Sequence, residues 1–337
     1  MAYRFKLDEP IAKGFRRIAR EQIARALNDL GQDDLADKGV HESRKTMKRL
    51  RALLRMVRPQ IGEKTFKARN AGLRNAGQML SGQRESKVLS ETIAKLEAHF
   101  VADESQSLAR FKQTVGAMEN AAPNVLSPET ATTLRALLEK EGRRIDKLKF
   151  KSAGFDVLAP GLHLSYDKGR RMLAKAYKSP SDQKFHDLRK TVQWHWRHMA
   201  LLSRAWPEYF EVRIHAAREL SQLLGDDHDL AMLQAAVKSI GKTTDTGYRQ
   251  VIRLARGRQE ELRADCFERA RRIFAEPPED FVRRIELYWN SGRSLRPVTG
   301  PVEPDSADPE PPVAQPLSSA PRLKVAARDN APSQRRA

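Results

Sequence analysis

Between His41 and Arg58 the chain sets seven basic residues against one acid, Glu42. At about 100° per residue, His41, Arg44, Lys48, Arg51, Arg55 and Arg58 fall in one narrow helical sector. Met47, Leu50, Leu54 and Val57 fall in a neighbouring sector that can pack into a core. Lys45 and Arg49 flank the basic row. Six such residues at alternating spacings of three and four span roughly 25 Å of helix. A solvated face normally interleaves both signs, because like charges four apart destabilise a helix. A row left unrelieved within its own helix points instead to an external anion, held by Arg forks and Lys point charges. The leading histidine suits anion binding too, since a neutral imidazole can donate to a phosphate oxygen and accept elsewhere. Cationic neighbours push its pKa down and an arriving phosphate pushes it back up, so affinity is expected to rise as pH falls from about 8 to 6.

The design occurs twice. His41-Glu42-Ser43-Arg44-Lys45-Thr46 returns as His186-Asp187-Leu188-Arg189-Lys190-Thr191, and Arg84-Glu85 returns, with one residue of slippage, as His228-Asp229. The second row keeps His186, Arg189 and Lys190 and adds Arg197, but Gln193 stands where Lys48 does and Trp196 where Arg51 does. The second row is therefore expected to bind phosphate less strongly than the first. His195 aligns with Leu50 and is expected in the core.

The elements that must carry these rows are helices. Ile11, Phe15, Ile18, Ala19, Ile23 and Leu27 open a three-and-four spacing that recurs near 41–58, 64–80, 86–119, 128–149, 162–177, 183–205, 209–224, 229–240, 246–274 and 279–290. Alternating strand patterns with hairpin turns are absent. The duplication predicts an all-α body over residues 1–295, with a first half of about 5–125 and a second of about 126–295. A pseudo-twofold arrangement would place the natural site in the groove the halves share. From 296 to 337 the chain holds nine of its 18 prolines, mixed with Ser and Ala, and from Pro297 on it sets five basic against five acidic residues. That stretch reads as a disordered tail.

Across the chain, 62 Lys and Arg oppose 43 Asp and Glu, a formal net charge of +19, and the neutral tail leaves all of it on the body. A folded body so charged repels itself until a polyanion neutralises it. The single cysteine, Cys266, excludes an internal disulfide framework and reads as an inert helical residue. No run approaches the roughly 18 apolar residues of a spanning helix, and the start of the chain lacks a leader-like apolar core. The expected location is cytoplasmic.

The repeated His-x-x-Arg openings followed by basic helical faces resemble the CHAD domain, the conserved histidine α-helical domain. Leu80-Ser81-Gly82-Gln83-Arg84-Glu85 and Leu224-Gly225-Asp226-Asp227-His228-Asp229-Leu230 are similar to that family's Leu-Gly…Asp segment, and Tyr166-Asp167-Lys168-Gly169-Arg170-Arg171 to its Tyr-x-x-Gly-Arg run. The resemblance covers about residues 5–295. It implies two four-helix bundles related by a pseudo-twofold with a basic central groove or pore, and non-enzymatic binding of inorganic polyphosphate, associated with polyphosphate granules. Carried over position by position, it assigns His41, Arg44, Lys48, Arg51 and Arg55 to the first basic helix and His186, Arg189, Lys190 and Arg197 to the second. Gln193, Trp196 and His228 depart from the family pattern, and Arg84-Glu85-Ser86-Lys87 lacks its second acid.

A phosphate polymer has no bases, so it needs neither stacking platforms nor base-edge readers. Nucleic acid shares the electrostatic footprint and is the alternative partner, with non-specific binding expected at low salt. The chain shows no zinc-finger spacing, RNP-type aromatic run or basic-zipper heptad. An accessory role beside a triphosphate-processing enzyme is a further alternative. Glu139-Lys140-Glu141-Gly142-Arg143 is the nearest approach to the Glu-x-Glu-x-Lys strand of CYTH-type hydrolases, yet it lies in a helical pattern. No P-loop or Gly-x-Ser-x-Gly is present. Asp226, Asp227, His228 and Asp229 read as caps or partners of nearby Arg rather than metal ligands. The pattern calls for no cofactor, no metal and no membrane, and it sets no oligomeric state.

Overall fold

The computed structural model describes residues 3–30, 37–80, 85–100, 112–113, 126–240 and 246–295. The expectations for Ser81–Arg84 and for the tail from 296 lie outside these residues. Among the described residues the regular structure is helical, with no strand. The helices are α1 (Ile11–Asp29), α2 (Asp37–Met56), the single turn α3 (Arg58–Ile61), α4 (Glu63–Met79), α5 (Glu85–His99) and α6 (Pro128–Asp146). After a 3₁₀ turn at Gly154–Val157 come α7 (Ala159–Lys178), α8 (Asp182–Leu202), α9 (Pro207–Ile240), α10 (Thr246–Ile273) and α11 (Pro278–Ser294).

Local chemistry sets several of these ends. Ser127 and Ser181 cap α6 and α8, their hydroxyls accepting from Thr130 N and Lys184 N, which satisfies donors a helix start leaves open. Proline opens α6 and α11, where its missing N–H costs nothing. Gly62, at φ 79°, makes the turn between α3 and α4.

The apolar stripes read from the sequence are the core. Ile11, Phe15, Ile18 and Ile23 of α1, and Met47, Leu50, Leu54 and Val57 at α2, are buried together with Leu53. α2 packs on α1 and α4, and α6 closes against α1 and α4. Farther along the chain α8 packs between α7 and α9, α10 lies on α9, and α11 covers α7. One continuous core joins the two groups. The N-terminal segment helps to fasten them: Phe5 donates its N–H to Leu201 O at 2.8 Å and meets Trp289 edge-on. α7 also starts directly against the end of α2. A Cβ on Gly161 would sit 1.8 Å from the Met56 carbonyl oxygen, so only glycine permits that approach.

Three features differ from the sequence expectation. α2 ends at Met56, so Arg58 stands at the start of α3 rather than on the long row. The stretch 207–240 is one helix, not two: it runs straight through Gly225 and the acids after it. α5 belongs to the first half by sequence, yet Ile93 and Leu96 pack with Leu230, Leu233, Val251 and Leu254 of α9 and α10.

Of the two roles expected for the acids after Gly225, cap or partner of a nearby cation, Asp226 and Asp227 take the second. Asp226 accepts from Lys95 of α5 at 2.7 Å, and Asp227 from Arg263 Nε of α10 at 2.6 Å. Asp227 is only 1 % exposed. Burial holds its pKa above the usual carboxylate value even against the pull of Arg263. Within α6, the Glu141 of the enzyme-like pentad is buried and shared by Arg69 and Arg144, each at 2.9 Å. Cys266 is buried in α10, and burial pushes its thiol up to about 12, which fits an inert residue.

Candidate functional site

The two histidine-led rows meet across one cleft of about 990 Å³. α2 contributes His41, Arg44, Lys48 and Arg51, and α8 contributes His186, Arg189, Lys190, Gln193, Trp194 and Arg197. Val88 and Leu89 of α5 line it, with His228, Asp229, Met232 and small residues of α9. Asp229 is the one carboxylate among the described lining residues. The volume suits a sizeable ligand, and the lining joins the cations of α2 and α8 to mostly apolar residues of α5 and α9.

Buried contacts hold the rows at this separation. His198, on the inner face of α8, has no exposed surface, and its Nε2 donates to Ala52 O of α2 at 3.0 Å. Burial first, then Arg55 and Arg197, drive its pKa to about 4. The neutral ring thus pins α8 to α2 as a positioning group. His195 is in the core as expected, among Tyr166, Phe274 and Phe281. Its Nε2 has no hydrogen-bond partner, and burial keeps its pKa well below the ordinary value.

Neutral groups orient several of these cations. Arg51 Nε donates to Asn70 Oδ1 at 3.0 Å, and Arg44 Nη1 reaches Leu80 O at 3.4 Å. Burial, then Arg74, lowers the Arg51 pKa. Arg197, 6 % exposed, donates to its own helix at Gln193 O and lies 4.0 Å from the Trp196 ring centroid. Burial is the main reason its pKa falls to about 9. Arg189 is also lowered by burial, with Asp229, Asp226 and Asp227 pulling the other way. Its guanidinium lies against Gly225: a Cβ there would stand 3.1 Å from Nη2. That packing explains a glycine inside α9 despite a helix cost of about 1 kcal/mol. Such groups remain charged at neutral pH, so the cleft stores repulsion that an anion would relieve.

The structure also parts some sequence candidates from the cleft. Lys45 and Arg49 sit one step, about 100°, round the helix from Arg44 and Lys48. Lys45 is exposed and paired with Glu42 at 2.7 Å, whereas Arg49 lies beside the Tyr3 ring. Arg58, on α3, pairs with Glu63 at 2.7 Å. Arg55 is wedged between Phe66 and Trp194, 3.5 Å from the indole centroid. Burial, then Arg51 and Arg58, brings its pKa to about 9. Arg55 therefore backs the wall behind Trp194 instead of lining the cleft. Trp196 is held between Arg197 and Arg218.

Sequence reasoning overlooked His228 as a site residue. Its ring stacks on His186 with centroids 4.2 Å apart. Burial, then His186 and Arg189, depresses its pKa to about 4, and burial, then Lys190 and Arg189, lowers that of His186. The signal was present: the repeat aligns His228 with Arg84, so both halves place a basic residue there. Trp194, which carries no charge and lies outside the basic row, also lines the cleft. No group of three or more metal-ligating side chains is arranged for an ion among the described residues, and no described helix is long and apolar enough to cross a membrane.

This arrangement has relatives. A CHAD domain family model matches residues 17–238. Among solved structures, PptA from Streptomyces chartreusis superposes with a TM-score of 0.54 over 78 % of this chain and 99 % of its own, at 13 % identity, a likeness of fold alone. No curated protein matches the chain. With the histidine-led helices facing one another and the family model spanning both, the chain belongs to the CHAD domain family.

Proposed function

We propose that this protein binds inorganic polyphosphate, without turning it over, in the cleft between α2 and α8. The carrying observation is the make-up of that cleft: Arg44, Lys48, Arg51, Arg189, Lys190 and Arg197 converge from two helices, with Asp229 the lone acid among its described lining. A linear polyanion satisfies such a row at every step and relieves the repulsion built into it. Family membership supports the polyphosphate reading, since the CHAD resemblance implies that ligand. The same reading includes two four-helix units in pseudo-twofold relation and a place on polyphosphate granules in the cytoplasm. The scarcity of carboxylates beside the cations supports binding rather than metal-assisted phosphoryl transfer.

The stacked histidines add a pH signature. In the free protein their pKa values are depressed, so the folded chain favours neutral rings. For His228 that contribution to stability is complete above about pH 6.5 and is lost as pH falls towards about 4, and His186 is shifted in the same direction. Bound phosphate raises the same pKa values, so the complex takes up protons and affinity grows as pH falls. Thermal unfolding tests both parts. Long-chain polyphosphate raises Tm by several degrees at saturating concentration, orthophosphate at equal phosphate concentration does not, and the increment at pH 6 exceeds that at pH 8. His41→Ala and His186→Ala each shrink the pH difference. A Tm that polyphosphate leaves unmoved at either pH contradicts the proposal.

A further inference from the structure

Beside the cleft, α7 and α8 enclose a separate pocket of about 270 Å³, lined by Lys168, Lys175, Lys184 and Lys190 with Asp187, Met172 and Trp194. Lys190 and Trp194 line both cavities, so the pocket continues the cleft across the indole. Its charge is strongly one-sided. Lys190 Nζ reaches Asp187 Oδ1 at 2.9 Å and Lys184 Nζ donates to Ser179 O at 2.6 Å, which leaves one carboxylate for four ammonium groups. Lys168 lies 5.6 Å from the Trp194 ring, whose indole also contacts Arg55. Trp194 thus forms a wall with Arg55 and Lys168 set against its ring. Flexible lysines in a shallow pocket suit the mobile phosphates of a strand leaving a tighter arginine-lined site.

We propose that the α7–α8 lysine pocket is a second phosphate subsite, continuous with the cleft at Lys190 and Trp194, that favours polyphosphate chains long enough to occupy both. This rests on the cleft being a polyphosphate site. A short chain fills the cleft alone and gains nothing from the pocket. A long chain crosses Trp194 and adds contacts with Lys168, Lys175 and Lys184.

The test compares long-chain polyphosphate with tripolyphosphate on the full chain, across a salt series. Lys168→Ala/Lys175→Ala/Lys184→Ala weakens long-chain binding about tenfold or more and lowers the slope of log affinity against log salt by about 2, as counterion release requires. Its affinity for tripolyphosphate stays within twofold. Lys175→Glu alone, an exposed change that disturbs no core contact, gives a smaller loss, again for long chains only. Equal losses for both ligands would make the pocket an independent small-polyanion site and overturn the continuity. No loss in either lysine variant, while Arg44→Ala/Lys48→Ala weakens both ligands, sinks the second subsite and spares the cleft. An Arg44→Ala/Lys48→Ala protein that binds both ligands normally overturns the cleft reading itself.

Discussion

Replacing Arg44, Lys48 and Arg51 together by alanine lowers affinity for long-chain polyphosphate about 100-fold at ~150 mM salt, measured by equilibrium titration. All three line the cleft from α2, and Arg51 is pre-oriented by Asn70. A hydrogen bond to a charged group contributes about 1.5–3 kcal/mol, and about 1.4 kcal/mol is tenfold in affinity. Three fully independent contacts would cost far more than 100-fold. Shared screening, with a Debye length near 8 Å, and the remaining row on α8 reduce the sum to about 3 kcal/mol. The free variant is expected to melt no lower than the parent, because deleting neighbouring like charges removes repulsion at only a small loss of packing. Unchanged affinity in a folded variant would show that the ligand does not lie on this row.

The largest stability effect is expected at Arg263→Met, which leaves Asp227 nearly inaccessible and without the cation that offsets its burial. Arg263 bridges α10 to two carboxylates, donating Nε to Asp227 and Nη2 to Asp182, each at 2.6 Å. Removing one partner of a buried pair costs about 3–5 kcal/mol, because the other charge remains desolvated. Urea unfolding should record a loss of that size. Adding Asp227→Asn to Arg263→Met should restore more than half of it, since an amide is far less costly to bury. By contrast, Arg269→Ala breaks a half-exposed pair with Glu219 and should change stability by less than about 1 kcal/mol. A loss below about 1 kcal/mol at Arg263 would show that Asp227 is not held by this pair. The consequence reaches the site, because Asp227 precedes His228 on the α9 wall of the cleft.

Much of this was legible in the sequence, and the exceptions share a cause. The helical class and the core stripe of α2 follow from period alone, since Met47, Leu50, Leu54 and Val57 repeat at three and four. His41, Arg44, Lys48 and Arg51 face the cleft for the same reason. What period could not show was where a helix stops or which helix lies opposite. Arg58 keeps the spacing but falls beyond the break at Val57, whose φ and ψ of −104° and 9° leave the helix. Gly225 and its acids look like an ending because their partners, Arg189, Lys95 and Arg263, are 36 or more residues away. The packing of α5 on α9 and α10 is likewise non-local. The lysine pocket takes residues from two helices, and neither helix alone carries a pattern that announces it.

The most direct test of the account is a side-by-side titration of the unmodified protein with long-chain polyphosphate and with length-matched single- and double-stranded DNA at ~150 mM salt. Generic attraction between a +19 chain and any polyanion weakens steeply with salt, whereas a fitted row of contacts persists. The account predicts polyphosphate binding at least tenfold tighter than either DNA. DNA binding as tight as polyphosphate, or tighter, would contradict it.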